Sequence, residues 1–375
     1  MELAGRVYDV VTESTNLHDK IRDYVPPKSS PEHLYWRRAL RMAALCHDIG
    51  HLPFSHAAED LLPSGWDHER ITVDLIRSPD MQEIWADMTP PLRTEDVVKL
   101  AVGPKKIKDA DFSDWETILS EIIVGDAFGV DRMDYLLRDS YHAGVTYGTF
   151  DRYRLIDTLR ILPREDLGSS EPVLGLEEGG LHSAEALILA RYFMYQQVYF
   201  HPVRLIYDIH LKDFLKSWLP GGCFSIDMSD HLKMTDVQVT AAILDASSNP
   251  ELPGHDFASH IVDRTHFKLL YGRNAIDQRR NLEAAKAVSK AACERYGQEK
   301  IRSHSYTQKE GSPDFPVLKR DSRIVSSLNE SEALNRIPVA VIDFVFVDRA
   351  AYGVASTWLK RNRDEIISKQ EARGE

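Results

Sequence analysis

The sequence predicts a mainly α-helical protein with a small α+β region at its C-terminal end. Three observations carry this. Apolar residues recur at helical spacing through most of the first 220 positions. A stretch rich in Pro, Gly, Ser and Glu interrupts them at Pro163–Gly180. A β-branched apolar run appears in the last third, at Val339–Val347. The expected organisation is a core over 1–160, a loop and long helix over 161–220 that complete it, and an α+β region over 221–375.

Taken in order, Leu40, Ala43, Ala44 and His47 fall at i, i+3, i+4 and i+7 and define one helical face. Gly50 and Pro53 break that helix. Ser55 is placed to cap a short helix running from Ala57 to Leu62. A further helix is expected from about Trp115 through Arg138. Another is expected from about Ser183 to Leu219, with Leu187, Ala190, Arg191, Met194 and Val198 in a stripe. Pro163–Gly180 between them reads as a loop or short hairpin. After Pro220-Gly221-Gly222, helical patterns continue to about Arg295. Phe315–Leu328 and Val339–Val347 then read as strand, the second more clearly.

Composition narrows the function classes. The chain has 375 residues, of which 43% are hydrophobic and 28% charged, so a sizeable core is available and disorder is not expected. A formal charge of −12 argues against wrapping nucleic acid through phosphate neutralisation. The basic stretches, Lys105-Lys106 and Arg279-Arg280, are short and read as solvated faces. Cys46, Cys223 and Cys293 form no CxxC pair, which suits a reducing compartment. No apolar run reaches the roughly 18 residues of a membrane span. Met1–Glu13 lacks the apolar core of a signal peptide, so a cytoplasmic location is expected.

Chemistry concentrates in three places. Cys46-His47-Asp48-Ile49-Gly50-His51-Leu52-Pro53-Phe54-Ser55-His56 sets imidazoles beside a carboxylate, a donor set suited to a divalent transition metal. His47 lies on an otherwise apolar stripe, where an imidazole needs a partner. His47 and His51, four apart, are expected on one helix face. In Asp131-Arg132-Met133-Asp134-Tyr135-Leu136-Leu137-Arg138-Asp139, helical spacing aligns Asp131, Tyr135, Arg138 and Asp139, and His142 beyond them. A solvated face with an Asp134–Arg138 pair is the plainer account of that segment. Between the two lies Trp66-Asp67-His68-Glu69-Arg70, where a helix is expected to start at His68.

Together the strings HDIGHLPFSH and DRMDYLLRDSYHAG, in that order and separation, resemble the HD phosphohydrolase superfamily, and within it the deoxynucleoside triphosphate triphosphohydrolases. The resemblance covers roughly the first 220 residues and implies an HD-domain helical bundle. It implies metal ligation by His47, Asp48 and Asp131, and catalytic or phosphate-contacting roles for His51, His56 and His68. It pairs His56 with Glu59 as a His–acid dyad. It assigns Arg132, Tyr135, Asp139 and His201 to substrate.

Two departures from the family pattern accompany it. The family's first metal histidine sits in a motif like HTRFEHSLGV that falls upstream of Met1, so an N-terminally short form is expected. The base-reading Tyr-Gln and Arg pattern is not matched cleanly by Tyr195–Arg204, and Pro202 is placed to bend that helix.

The implied activity is metal-dependent hydrolysis of a dNTP, dGTP-like, to deoxynucleoside and triphosphate. The metal is Mn, Mg, Fe, Co, Ni or Zn, since a His/Asp set accepts any of these. A homo-oligomer is the implied assembly. Two alternatives stay open: an HD phosphohydrolase on another nucleotide or small phosphate ester, and a nucleotide-binding pseudo-enzyme with an incomplete metal site. An HD-GYP cyclic dinucleotide phosphodiesterase needs a Gly-Tyr-Pro motif, which the sequence lacks.

Overall fold

The protein is described by a computed structural model covering residues 1–164, 171–308 and 312–368. It is mainly helical with small sheets, as expected. The chain forms two compact units. The first comprises Met1–His51, Trp66–Met194 and Glu310–Pro338, and the second Leu52–Gly65, Tyr195–Lys309 and Val339–Glu375. Among the described residues the strands run, in order, β1 (Leu159–Pro163), β2 (Pro172–Glu177), β3 (Lys268–Gly272), β4 (Ile301–Thr307), β5 (Pro316–Leu318), β6 (Ile324–Ser326) and β7 (Val341–Val347).

The first unit is built on helices that each bury one stripe. Ser30 caps the helix Pro31–Cys46 by accepting a hydrogen bond from the His33 N–H at 3.1 Å, and Pro31 occupies its first turn. That helix buries Trp36, Ala39, Leu40, Ala43 and Ala44. It packs on Glu2–Val11, whose buried Tyr8 donates its hydroxyl to the His33 carbonyl at 2.9 Å. The helix Asp114–Val124 starts with a Ser113–Glu116 capping box and contributes Ile118, Leu119, Ile122 and Ile123, all fully buried. Each such side chain stabilises the fold by roughly 2 kcal/mol.

The first unit also carries a four-stranded sheet of order β1-β2-β5-β6. β1 and β2 pair antiparallel from Leu159↔Leu176 to Pro163↔Pro172, so the stretch read as a loop or hairpin is a hairpin. Residues 165–170 of that stretch lie outside the described residues. β5 joins β2 in parallel and β6 closes antiparallel on β5.

In the second unit, helix Pro202–Trp218 packs against the 3-10 turn Ser55–Leu61 and against helix His255–Val262. A three-stranded sheet of order β3-β7-β4 has β7 in the middle. One face of β7 meets Ala284, Val288, Ala292 and Leu359, and the other meets Phe200, Ile206 and Phe267. Burial on both faces explains why Val341–Val347 reads as an almost unbroken apolar run rather than an alternating one.

Four expectations are corrected. The helix expected from Trp115 to Arg138 is two helices, Asp114–Val124 and Val130–Ala143. Gly125 and Gly129 between them take extended dihedrals that a helix cannot continue through. The helix expected from Ser183 to Leu219 runs Leu181–Met194, passes through a π turn at Tyr195–Tyr199, and restarts at Pro202. The Pro202 ring disfavours helical backbone at His201, which is extended (φ −62°, ψ 130°).

The helix pattern expected up to Arg295 is interrupted by β3. Ser55 does not cap the turn that follows. Phe54 takes the cap position in the left-handed region at φ 60°, and Ser55 follows at φ 58°.

Candidate metal centre

Two segments of the first unit meet at one cluster. His47 ends the helix Pro31–Cys46, and Asp48 lies in the turn that follows. Asp131 lies in the first turn of Val130–Ala143. His47 Nε2 is 3.3 Å from Asp48 Oδ2 and 3.2 Å from Asp131 Oδ1. One ligand atom from each of the three residues lies within 4.8 Å of the others. His47 is 17% exposed and Asp131 35%, so the cluster is sheltered but open.

The hydrogen-bond geometry shows what the cluster lacks. His47 Nδ1 lies 3.2 Å from the Ala44 carbonyl, which can only accept, so the neutral ring carries its proton there. Nε2 then turns a lone pair toward two carboxylates. That atom is buried and has no well-formed hydrogen-bond partner. Burial opposes protonation of His47, but Asp131 and Asp48 outweigh it and hold the imidazole above its usual pKa. A cation satisfies the arrangement, and a proton or a divalent ion serves. One imidazole and two carboxylates are a donor set suited to the divalent ion.

The turn after His47 is fixed by Thr72, which was not anticipated from the sequence. The buried Thr72 Oγ1 accepts from the Gly50 N–H at 3.0 Å and lies 3.2 Å from the His47 carbonyl, to which it donates. Gly50 fits flush against the next helix: a Cβ there would stand 2.3 Å from the His68 carbonyl oxygen. His47 and His51 therefore do not share a regular helix face. The helix stops at Cys46, and the turn instead brings His51 Nε2 to 3.6 Å from Asp48 Oδ1. A threonine inside a helix gives no sequence signal of such a role.

His68 opens helix His68–Ile76, whose N-cap Asp67 accepts from the Arg70 N–H at 2.8 Å. Its ring stacks on His51 with centroids 4.0 Å apart and planes 13° apart. Arg132, Tyr135 and Asp139 follow Asp131 on its helix, and all are partly buried. Arg132 donates Nη1 to the Gly125 carbonyl at 3.3 Å, while its Nε is buried without a hydrogen-bond partner. Arg138 pairs with Asp134 at 3.0 Å, as the plainer account of that segment expected.

The remaining expected residues lie in the second unit. His56 Nδ1 is 3.0 Å from Glu59 Oε2, which forms the expected dyad locally. His201 caps helix Pro202–Trp218 and accepts from the Val203 N–H at 3.3 Å.

The fold and the cluster define a helical protein with a His/Asp set of metal-ligand geometry. A model of the HD-associated region family matches residues 150–308. The uncharacterized Bacillus subtilis protein YwfO is 36% identical over 46% of this chain and 35% of its own length. The Gallus gallus deoxynucleoside triphosphate triphosphohydrolase SAMHD1 is 28% identical over 60% of this chain and 41% of its own length. The chain thus spans less than half the length of these curated relatives.

A solved hypothetical protein from Aquifex aeolicus superposes with TM-score 0.72 at 28% identity, covering 96% of this chain and 86% of that one. A Bacteroides thetaiotaomicron phosphohydrolase shares the fold, with TM-score 0.64 at 20% identity over 92% of this chain and 85% of that one. These similarities support the expected resemblance to the HD-type phosphohydrolase superfamily. Among the described residues, no helix is long and apolar enough to cross a membrane.

Proposed function

We propose that this protein is a divalent-metal-dependent phosphohydrolase that cleaves a deoxynucleoside triphosphate, dGTP-like, to deoxynucleoside and triphosphate. The observation that carries the reading is the meeting of His47, Asp48 and Asp131, from segments far apart in the chain, around one buried and unsatisfied imidazole nitrogen. The 28% identity to a deoxynucleoside triphosphate triphosphohydrolase supports the substrate class.

In this reading His47, Asp48 and Asp131 hold the ion. It supplies Lewis-acid chemistry for attack of water on phosphorus. The stacked His51 and His68 rings are preorganised to meet phosphoryl oxygens where negative charge develops. Arg132, with its buried and unmatched Nε, is a further donor to phosphate. Tyr135 and Asp139, one and two turns on from Asp131, hold the sugar. His56, oriented by Glu59, gives its proton to the leaving oxygen. His201 contacts substrate. The assembly is a homo-oligomer.

The test is turnover of a panel of dNTPs, dNMPs and cyclic nucleotides by the full chain, with Mn²⁺, Mg²⁺ and Co²⁺ in parallel. The expected result is metal-dependent release of triphosphate from dGTP, lost in Asp131→Ala. Turnover confined to a monophosphate or a small ester would move the assignment to another HD phosphohydrolase activity. Metal and nucleotide binding without turnover would identify a pseudo-enzyme.

A further inference from the structure

Lys105 and Lys106, which read as a solvated basic stretch, are both engaged. We propose that Lys106 is a positioning residue for His68 that acts through Glu69, and that Lys105 anchors the same loop to the segment leading into Asp131. The inference rests on the role given to His68 above.

The geometry is a bridge across one carboxylate. Lys106 Nζ lies 2.6 Å from Glu69 Oε1, and Glu69 Oε2 lies 3.3 Å from His68 Nδ1. Lys106 Nζ is also 3.3 Å from Oδ2 of Asp67, the cap of the helix that begins with His68. A carboxylate only accepts, so Glu69 selects the His68 tautomer with its proton on Nδ1. The stack on His51 fixes the plane of the ring, and the Glu69 contact fixes its rotation within that plane. Glu69 is 22% exposed and adjoins His68, so without a partner it would be drawn toward water. The ammonium holds it in place.

The loop that carries these lysines is itself tethered. Helix Thr94–Val102 ends at Gly103 with φ +71°, and the Lys106 N–H donates to the Gly103 carbonyl at 3.3 Å. Lys105 Nζ reaches Asp126 Oδ2 at 2.6 Å, in the connector between Val124 and Val130. Two adjacent lysines on one turn thus tie together the segment that begins with His68 and the segment that ends at Asp131. Exposed ion pairs contribute little to the stability of a fold. Ordinary surface pairs would therefore alter neither stability nor turnover by much when removed.

That contrast supplies the test, made on the full chain loaded with Mn²⁺. Lys106→Gln is expected to lower kcat for dGTP about tenfold, the effect typical of losing a residue that orients a functional histidine. KM is expected to stay within about twofold and the urea midpoint near that of the wild type. Lys106→Arg is expected to recover most of the loss, because a guanidinium also holds the carboxylate.

A second readout is independent of turnover. Long-range ¹⁵N–¹H spectra of the metal-free protein are expected to show His68 as the Nδ1–H tautomer, and Glu69→Gln to redistribute it. If dGTP is not turned over by the wild type, the proposed function fails, while the spectra still decide the Lys106–Glu69–His68 bridge. The inference is overturned if Lys106→Gln leaves both kcat and the His68 tautomer unchanged. It is equally overturned if activity falls only in step with lost folded protein and Lys106→Arg fails to restore it.

Discussion

Replacing Gly50 with alanine would drive a methyl group into the backbone of the helix that carries His68. The added Cβ would stand 2.3 Å from the His68 carbonyl oxygen, 2.4 Å from the Thr72 nitrogen and 2.7 Å from Thr72 Oγ1. The first two are main-chain atoms of a packed helix, so no rotamer change relieves them. Restoring ordinary contact requires the turn and the helix to separate by about 1 Å, an overpacking strain of about 1–3 kcal/mol. The same movement stretches the Gly50 N–H to Thr72 Oγ1 bond, now 3.0 Å, and the Thr72 Oγ1 to His47 carbonyl bond, now 3.2 Å. Each contributes about 1 kcal/mol.

The combined expectation for Gly50→Ala is a loss of about 2–4 kcal/mol. The His51–His68 stack sits across this contact, and a displacement of about 1 Å at reacting groups lowers kcat/KM about 10²-fold. Urea denaturation with an unchanged slope and steady-state hydrolysis of dGTP with Mn²⁺ measure the two effects. Gly144→Ala is the control. It places alanine at a φ of +67°, a strain that Gly50→Ala does not carry, but nothing lies within 4 Å of its Cβ, so about 1 kcal/mol of stability should be lost with little change in turnover. A Gly50→Ala protein matching the wild type in urea midpoint and kcat/KM would refute the claim that this contact builds the site.

Other outcomes follow from the same structure. Asp131→Ala removes one of the three proposed ligands, so titration calorimetry should show Mn²⁺ affinity reduced at least about tenfold; undiminished affinity would place the ion elsewhere. Saturating Mn²⁺ should raise the unfolding free energy of the wild type by about 2.7 kcal/mol at one hundred times its dissociation constant, and an unshifted melting curve would count against a bound ion. Because Asp131 and Asp48 hold a proton on His47 above the usual imidazole range despite its burial, metal must displace that proton; affinity should rise from pH 6 to pH 8, and a flat profile would contradict it.

His210 is buried, and desolvation pushes its pKa down to about 3, with the His260, Arg302 and His266 charges adding to the effect. Below the usual imidazole pKa the unfolded chain takes up this proton and the folded chain does not, so stability is intact above about pH 6.5 and falls toward about pH 3. The slope is about 1.4 kcal/mol per pH unit, giving about 2 kcal/mol lost between pH 7 and pH 5. His210→Asn should flatten that part of a urea-midpoint against pH profile.

What the sequence conveyed and what it hid have physical causes. The stripe of Leu40, Ala43, Ala44 and His47 was legible because burial of one helix face imposes a period, and the structure buries the three apolar members. The metal-ligand types were legible because imidazole and carboxylate side by side are uncommon on an apolar stripe. The break at Gly125–Gly129 was hidden because apolar spacing continues on both sides of it. β3 and β4 were hidden because their partner, β7, lies far away in sequence. Thr72, Glu69 and Lys106 were hidden for a related reason. Their roles arise from contacts between segments, and the residues themselves read as ordinary helix and loop members.

The pairing of β2 with β5 bears on how this chain can be made. β5 and β6 are made about 140 residues after β2, yet they complete the sheet that the β1–β2 hairpin begins. Until then β2 waits with an open edge, a template for unwanted association. Any shortened chain that stops soon after Thr307 leaves that edge bare for good. Expression boundaries drawn at a single cut would therefore yield aggregates from the helical half, and a soluble fragment should need residues 312–338 supplied, even in trans.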